Sequence, residues 1–573
     1  MADDPRKRLR ELVVEDIRST AKGRSDLKKK IKTRERMVNS ELPRRQYYGG
    51  RADVRVPFPY AYAQSMIPRY MSATFSGFKV LEAIPLSEPA FQYANNVGLL
   101  LNNALLFEMD FYTEALQFYT SLSTVGAAVQ KVRWNPESQS CEIFNISPEL
   151  FAIDRKTPFL TKKTQWCAYQ VGKTKAELLS GLQDPSKGYD RAVVKEITDK
   201  DPSGVDQETR EKVAPQRATY DCWEWWGKCD PGPEQEIGPD GIPRTIQGPR
   251  NVIALMSEDK LVGWKTSPYG DSLNFLAMTE VPDRKSWYDG KSELDSIETL
   301  YETASDIMNQ RLDNVTQNIN GLFTYLKGAG VNLSDLVSSP WGVIGLQDHD
   351  DIKRLDTANV TQDAYREVQN AIEMMKMGAG FQDILRGEKK PGEQTAEEVG
   401  ALRTEAGQRP GLKIQMAMHL YVSRMGEIVL ADHQRFMTQE KAVMVLGDPG
   451  AAAEMIGPNS IAGRYRIIPR AVSLVGNRDA RSGQLVNFMN VARGIPGMEL
   501  DIRDAAEEFR DLNDIKRHPI SQEEHEARRM AAVAGFSSSL EHGTDGTRNP
   551  KGVGSAAGVP AAGAAKPPVA GSK

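Results

Sequence analysis

The strongest constraint on the fold is a long amphipathic helix pattern between residues 289 and 322. Its apolar residues recur every three or four positions, which places them along one side of a helix. They are Leu294, Ile297, Tyr301, Ala304, Met308, Leu312, Val315 and Ile319. The other sides carry Glu293, Asp295, Glu298, Glu302, Asp306 and Asp313 against only Lys291 and Arg311. An ordinary core helix with solvated acidic residues would show the same pattern, so the neighbouring segments must decide its role.

The segments after this helix predict a helix–hairpin–helix unit followed by a polar loop. Strands are predicted at 324–327 and 341–346, and a second helix at 361–377. Five Gly or Pro residues between 378 and 392 predict a flexible loop over 378–394. A capping box at Thr395 to Glu398 begins a further helix, which is expected to end near Phe436 after a break at 407–411.

The chain has 573 residues, too many for one hydrophobic core, so more than one domain is expected. Before the long helix, the pattern predicts a helix at 5–40, an extended segment at 53–62 and a helical region from 63 to about 122 that is interrupted near 78–89. Strands are predicted at 127–134, 141–144 and 217–228, with two more within 251–264, and a short helix at 173–181. Residues 183–216 are expected to be loop-rich and 230–248 to be a turn-rich insert.

After the long helix come predicted strands at 442–446 and 464–474, a helix around 485–491 and an acidic helical region at 500–533. The predicted fold class is α+β and mainly helical. Residues 536–573, rich in Gly, Ala, Ser and Pro, predict a disordered tail.

Several functional classes are not expected. No run of eighteen apolar residues suggests a membrane span, and the first residues lack a signal-peptide pattern, so a cytosol-like compartment of synthesis is expected. The four cysteines form no CxxC pair and the six histidines are scattered, so neither a metal nor a cofactor is expected. Gly172-Lys173-Thr174 and Gly290-Lys291-Ser292 lack the preceding glycine of a phosphate-binding loop, and no other catalytic motif is present, so an enzyme is not expected.

Charge is unevenly distributed. The net charge is −4, which is not typical of a site-specific DNA-binding protein. Residues 1–40 nevertheless hold thirteen Lys and Arg against seven Asp and Glu. Such a basic helical segment can contact nucleic acid or another protein, and a solvated amphipathic helix is the alternative.

The order of these segments resembles the portal proteins of tailed double-stranded DNA phages. Four places carry the resemblance: the extended segment with Pro57 and Pro59 before a helical block that ends in 124–134, the phrase 146–154 (ISPELFAID), the start of the long helix at 288–292 (YDGKS) with Asn309 and Asn314 inside it, and 381–399 (FQDILRGEKKPGEQTAEEV). Each alone is weak, and their correct order over most of the chain makes the joint signal stronger.

The resemblance implies an architecture and a setting. It implies a wing (1–290), a stem helix (291–320), a clip hairpin (321–360), a second stem helix (361–377), a tunnel loop (378–394), a return to the wing (395–480), a helical crown (481–535) and the tail (536–573). The family forms dodecameric rings at one capsid vertex of the virion, assembled in the host cytoplasm with the major capsid protein and scaffold. Double-stranded DNA passes through the ring, on which the large subunit of the terminase docks first and head-completion or adaptor proteins later.

The same resemblance suggests site residues. Glu298, Glu302 and Asp306 are candidates to line the channel, because an acidic wall would let phosphates slide past. Arg386, Lys389 and Lys390 are candidates for brief DNA contacts from the loop. Candidate subunit contacts are Ile307, Met308, Leu312, Trp341 and Ile344, although Trp341 suits an intrachain core equally well. Another structural virion protein, such as a scaffold or adaptor, or an enzyme without a recognisable motif, stays open as an alternative.

Overall fold

The computed structural model describes the chain in segments separated by gaps. They are 5–41, 52–75, 79–88, 90–161, 163–202, 217–232, 234–237, 243–246, 248–320, 322–325, 348, 352–355, 361–380, 409–443, 454–470, 478–492, 505–506 and 509. All of them belong to one compact unit, which comprises residues 1–447 and 451–516. The described part is an α+β mix, as the sequence predicted. Its helices include none that is long and apolar enough to cross a membrane.

The N-terminal part is helical. The single helix predicted over 5–40 is two helices, α1 (Pro5–Ser19) and α2 (Ala21–Val38). Residues 52–57 form neither helix nor strand, and α3 (Phe58–Thr74) then begins. Pro59 does not prevent this, because the first-turn amide that proline lacks has no partner within a helix anyway. The prediction of an extended segment up to residue 62 is therefore wrong for its second half.

A second helical block follows a short strand. The predicted break near 78–89 contains β1 (Leu81–Pro85), and α4 (Ala90–Asn103) continues into a π-helical turn (Ala104–Glu108) before α5 (Phe111–Val125). Aromatic side chains hold this block together. Tyr70 stacks on Tyr119 with ring centroids 4.9 Å apart, and Phe118 stacks on Tyr421 at 3.9 Å.

Two larger antiparallel sheets, of three and five strands, lie between residues 127 and 279. The strands and intervening helices are β2 (Ala127–Asn135), β3 (Ser140–Ile146), β4 (Phe151–Ile153), β5 (Trp166–Thr174), α6 (Lys175–Gln183), α7 (Arg191–Thr198), β6 (Thr219–Cys229), β7 (Glu234–Ile237), β8 (Pro243–Ile246), β9 (Arg250–Ser257), β10 (Lys260–Thr266) and β11 (Phe275–Thr279). One sheet has the order β11-β2-β3 and the other β10-β9-β6-β5-β4, while β7 and β8 form a separate hairpin. All strands that the sequence predicted in this region are present.

Several elements of this region were missed, namely strands β5 and β11, helix α7 and the β7–β8 hairpin. Residues 183–216 were predicted to be loop-rich, yet α7 forms there, because the Asp190 side chain accepts a hydrogen bond from the Ala192 amide at 2.9 Å and caps the helix. The turn-rich stretch 230–248 contains the β7–β8 hairpin. Both are short, and short elements give little periodicity from which to predict them.

The two sheets are joined by a buried lysine. Lys131 on β2 donates hydrogen bonds to Glu224 on β6 and, at 3.0 Å, to the Tyr169 hydroxyl on β5. Its ammonium group also lies 5.1 Å from the centre of the Trp226 ring. A buried charge requires such pairing to offset the loss of hydration, so this contact fixes how the sheets pack. Three of the cysteines, Cys141, Cys167 and Cys222, are buried, as expected of small apolar residues.

The long helix and the strands and helices after it come next in the chain. They comprise α8 (Glu293–Asn320), β12 (Leu322–Tyr325), β13 (Ile352–Leu355) and α9 (Thr361–Gly378), then helical residues 409–417, a π-helical turn (Met418–Ser423) and α10 (Arg424–Phe436). The C-terminal elements are β14 (Lys441–Val443), β15 (Glu454–Ile456), β16 (Tyr465–Pro469) and α11 (Arg478–Ala492). The strand predicted at 341–346, the capping box at Thr395, the tail and most of 500–533 lie outside the described residues.

After α9 the chain returns to the body from which α8 starts. Strand β16 pairs antiparallel with β1, with Leu81 opposite Pro469 and Pro85 opposite Tyr465. Helix α10 packs closely on this pair, since a Cβ at Gly426 would lie 2.4 Å from the nearest Leu81 methyl. One body therefore contains chain from both sides of α8 and α9.

A buried acid lies where α10 meets the β11-β2-β3 sheet. The side chain of Asp432 accepts a hydrogen bond from the Asn274 amide nitrogen at 2.8 Å. Burial raises the pKa of Asp432 to about 7. The folded protein therefore binds a proton here between about pH 4 and pH 7, where the unfolded chain has lost it, and the free energy of unfolding falls as pH rises through that window.

Replacement of Asp432 tests this linkage. The substitution Asp432→Asn keeps an acceptor for Asn274 and removes the titration. Its stability relative to the unsubstituted protein should rise between about pH 4 and pH 7, on the order of 1.4 kcal/mol for each pH unit inside the window. Thermal midpoints at several pH values measure this, with exposed Asp271→Asn as the control. A pH-independent difference between Asp432→Asn and the unsubstituted protein would contradict the assignment.

Candidate functional site

Helices α8 and α9 pack side by side and are connected through strands β12 and β13. Leu322 pairs with Leu355 and Tyr325 with Ile352, so the strands form an antiparallel pair at one end. At the other end Gly378 of α9 lies against Ile297 of α8, where an added Cβ would be 3.3 Å from the Ile297 side chain. We call α8, β12, β13 and α9 the helical hairpin, with its root at Ile297 and Gly378 and its tip beyond the strands.

The burial of the apolar stripe on α8 decreases from the root of the helical hairpin towards its tip. Leu294, Ile297, Tyr301 and Ala304 near the root are fully buried. Met308 and Leu312 are half-buried, as is the neighbouring candidate Ile307. Val315 is 37% exposed and Ile319 76% exposed. The chain therefore covers its own stripe at the root and leaves it open towards the tip.

The three acidic candidates lie on one side of α8. Glu302 is exposed, and Glu298 and Asp306 are half-buried. Burial raises the pKa of Glu298, and the nearby carboxylates of Glu302 and Asp295 raise it further. Their spacing of four residues places the three carboxylates in a row along the helix.

The remaining candidates cannot be placed in the same way. Trp341 and Ile344 of the predicted clip, and Arg386, Lys389 and Lys390 of the predicted loop, lie outside the described residues. Within the described residues, no cluster of His, Cys, Asp and Glu could hold a metal ion.

An extended segment, residues 52–56, lies along α8 and binds it through a regular ladder. The backbone amides of Ala52 and Val54 donate to side-chain oxygens of Asp313 and Asn309, both at 2.7 Å. The Asn309 amide nitrogen donates back to the Val54 carbonyl at 3.0 Å, and the Val56 amide reaches the hydroxyl of Ser305 at 3.4 Å. We call residues 52–56 the strap.

The ladder has a geometric reason. Two residues of extended chain advance about 6.6 Å, and four residues of helix advance about 6.0 Å. Every second strap amide can therefore meet every fourth α8 side chain. Sequence reasoning predicted the extended segment and missed the ladder, although the spacing of Ser305, Asn309 and Asp313 was a visible signal.

The root of the helical hairpin is anchored by a buried charge network. Lys413, from helical residues 409–417, donates to Glu280 and to Glu293 at 2.9 Å each. It also donates to the Tyr62 hydroxyl at 2.9 Å. The side chains of Lys413, Glu280 and Glu293 are each less than a tenth exposed, so these charges interact with little screening by water.

Glu280 also caps the start of α8. One of its carboxylate oxygens accepts from the Ser292 hydroxyl at 2.7 Å and from the Glu293 amide at 3.2 Å. A carboxylate at this position satisfies an amide that has no partner within the helix and complements the helix dipole. The network thus fixes where α8 begins.

A second ion pair locks the same end of α8 to α2. The Arg34 guanidinium donates to both carboxylate oxygens of Asp295, at 2.7 and 2.6 Å. Its third nitrogen donates to the Val125 carbonyl at 2.6 Å. Such a two-pronged contact fixes orientation as well as distance. None of these partners was identified from the sequence, because they are far apart along the chain.

The sequence of the chain is also similar to a known protein family. The chain matches the family model described as Phage SU10 portal protein over residues 97–497, more than two thirds of its length. The matched range includes the helical hairpin and the strands on either side of it. No curated protein matches the chain.

The network at the root makes a direct prediction. Lys413→Met leaves Glu280 and Glu293 buried without their shared cation, which should destabilise the protein by about 3–5 kcal/mol. The matched control is Arg409→Met: Arg409 also contacts Glu293, at 2.7 Å, but is 53% exposed, so its loss should cost about 0–1 kcal/mol. Thermal midpoints compare the two variants. Equal midpoints would show that the network does not hold the root.

A compensated variant separates charge from packing. Adding Glu280→Gln and Glu293→Gln to Lys413→Met removes the uncompensated carboxylates. The triple variant should recover part of the lost stability. No recovery would attribute the loss to packing around Lys413 rather than to its charge.

Proposed function

The chain belongs to the Phage SU10 portal protein family, and on this premise we propose that it is a ring-forming portal subunit through whose channel double-stranded DNA is packaged and ejected. The observation that carries the proposal is the helical hairpin flanked by a single body. Strands β1 and β16 pair although one precedes α8 and the other follows α9. A ring of such subunits can use the bodies as its rim and the hairpins as the wall of a tube.

The proposal assigns a role to each part. The wing comprises residues 1–290 and 395–480, the stem helices are α8 and α9, and the clip comprises 321–360, of which β12 and β13 are the base. Residues 378–394 are the tunnel loop, with Arg386, Lys389 and Lys390 as its DNA contacts, 481–535 the crown and 536–573 the tail. The family is structural rather than enzymatic, and no catalytic role is proposed.

A duplex can slide through a channel only if the wall does not hold it. Duplex DNA carries about one negative charge per 1.7 Å of its length. Helix α8 has 28 residues, a length of about 42 Å and more than one turn of the duplex. Glu298, Glu302 and Asp306, repeated by each subunit, would repel phosphates along this path, and we propose that they line it.

The ring interface follows from the uncovered part of the stripe. Exposure of apolar side chains such as Val315 and Ile319 to water is unfavourable, and a partner that covered them would gain the free energy of their burial. We propose that a neighbouring stem covers them together with Ile307, Met308 and Leu312, in a head-to-tail contact that closes into a ring of twelve. Trp341 and Ile344 are proposed to add contacts in the clip.

The proposal also places the ring in the virion. We propose that it occupies one vertex of the capsid, in contact with the major capsid protein and the scaffold. The large subunit of the terminase would dock on the clip during packaging, and head-completion or adaptor proteins would take its place afterwards.

Assembly is the first test. The purified protein, or capsid-derived material, should show rings with a central hole in electron microscopy. Leu312→Asp should weaken or abolish them, because a charge would be buried without a partner in the subunit contact. Gln310→Asp is the matched control, since Gln310 is exposed on another side of α8.

Two outcomes would contradict this part of the proposal. A stable 63.6 kDa species with no rings from either source would oppose the portal function itself. Normal rings from Leu312→Asp would leave the function standing and would show that the stripe is not the subunit contact.

Charge reversal tests the channel. Changing Glu298, Glu302 and Asp306 together to Lys should create phosphate-binding sites along the path. Assembled rings should then retain DNA in a salt-sensitive manner and package it more slowly. The control reverses three exposed acids outside the helical hairpin, Glu137, Asp271 and Glu440. Packaging at the normal rate by intact triple-variant rings would rule out these residues as the channel wall.

A further inference from the structure

The exposed side of helix α2 is predominantly basic. Leu27, Ile31 and Arg34 are buried on its inner side. The outer side presents Lys22, Lys29, Lys32 and Arg36, and all four are exposed. Their spacings of seven, three and four residues return to the same side of a helix, so they form one row about 21 Å long. We call these four residues the basic row.

The basic row is weakly neutralised by its own chain. Asp26 lies 3.9 Å from Lys29, and both side chains are more than half exposed. Glu35, also exposed on α2, interacts electrostatically with Lys32. Exposed charge pairs of this kind are worth little, because water and salt screen them. A net charge of −4 for the whole chain shows that this concentration of positive charge is local.

The composition of the row favours one class of partner. Protein interfaces are built on aromatic and apolar anchors and are depleted in lysine. The row consists of three lysines and one arginine, with the exposed Ser25 and Asp26 between them and no large exposed apolar side chain on that side. Lysine, arginine and serine are the residue types that contact the sugar–phosphate backbone of nucleic acid, which needs no apolar anchor.

The position of the row separates it from the helical hairpin. Arg34, which binds Asp295 of α8, is on the opposite side of α2 from Lys29 and Arg36. The row therefore faces away from α8 and from its acidic side chains. It also lies outside the residues that match the family model.

From these observations we propose that the basic row of α2 is a second nucleic-acid surface, which holds the phosphate backbone of duplex DNA without sequence preference. The proposal goes beyond the passage of DNA through a channel and does not depend on it. Four cations at spacings between about 4.5 and 10.5 Å span three or four phosphates of a strand. Lysine and arginine bind the phosphates of any sequence, and the row offers no amide or aromatic side chain, so affinity should depend on salt rather than on sequence.

The test must exclude threading through a ring. A covalently closed, relaxed circular duplex cannot pass through a closed ring, so its binding reports outer surfaces only. The full-length protein is titrated against this circle between about 50 and 200 mM salt, and the observed association constant is plotted against salt concentration on logarithmic axes. The slope should be steep and negative.

The variant neutralises the row. Changing Lys22, Lys29, Lys32 and Arg36 together to Gln should weaken binding to the circle at least about tenfold at low salt. The slope should become shallower by about 0.9 for each cation that contacts a phosphate. Changing the three lysines to Arg should keep both affinity and slope, because the charge stays in place.

The control removes four positive charges that are scattered over the surface rather than aligned along one helix. It replaces the exposed cations Arg191, Lys195, Lys228 and Arg464 by Gln. This variant should bind the circle as the unsubstituted protein does, and thermal midpoints of both variants should be unchanged since all eight residues are exposed. Equal loss of binding in the two variants would reduce the effect to net charge and overturn the proposal.

A competitor distinguishes DNA from an acidic protein. Labelled polyglutamate is titrated against the same variants. Binding of polyglutamate that disappears with the row, while the circle binds unchanged, would assign the row to an acidic protein surface and overturn the proposal. Loss of binding to the circle with the row, and not with the scattered control, would support it.

Discussion

The position of the helical hairpin depends on charges that are buried at its root. Lys413, Glu280 and Glu293 have lost most of their hydration, and a buried charge is tolerated only where a partner of opposite sign is close. Each cation here serves two elements at once: Lys413 connects the helix after the hairpin to the start of α8, and Arg34 connects α2 to Asp295. Any rotation of α8 about its axis would separate these pairs without bringing water to them. The network therefore fixes the rotation as well as the starting point of α8, which apolar packing alone would specify less sharply.

This fixed rotation decides what each side of α8 can do. Near the root the body covers the apolar stripe, and the strap occupies the side with Ser305, Asn309 and Asp313. Towards the tip the stripe is open, with Ile319 76% exposed. Contacts within the subunit thus hold the root, while the exposed distal half is left for the subunit contact proposed above. A subunit built in this way can fold alone with a rigid base and still gain stability from assembly.

Sequence periodicity predicted the helices and strands of this arrangement but could not predict the ion pairs that connect them. The stripe from Leu294 to Ile319 was visible because a helix repeats every 3.6 residues, and the strands around Ala127 and Thr219 were visible from their alternation or apolar runs. These ion pairs join residues far apart in sequence, such as Arg34 with Asp295 and Glu280 with Lys413, and no local pattern marks such pairs. Helix α7 was missed because eight residues show barely two helical turns. Helix α3 begins five residues earlier than predicted, because proline is compatible with a first helical turn.

The distribution of charge is a consequence of the same architecture. An acidic row on α8 and a basic row on α2 would neutralise each other if they faced one another, and the near-zero balance of the whole chain conceals both. Arg34 prevents this, because its pairing with Asp295 turns the inner side of α2 towards α8 and therefore turns Lys22, Lys29, Lys32 and Arg36 outwards. One buried ion pair thus keeps two surfaces of opposite charge apart. The proposed channel wall, which would repel phosphate, and the proposed surface that would attract it can then coexist in a single subunit, because screening confines each field to about 8–10 Å.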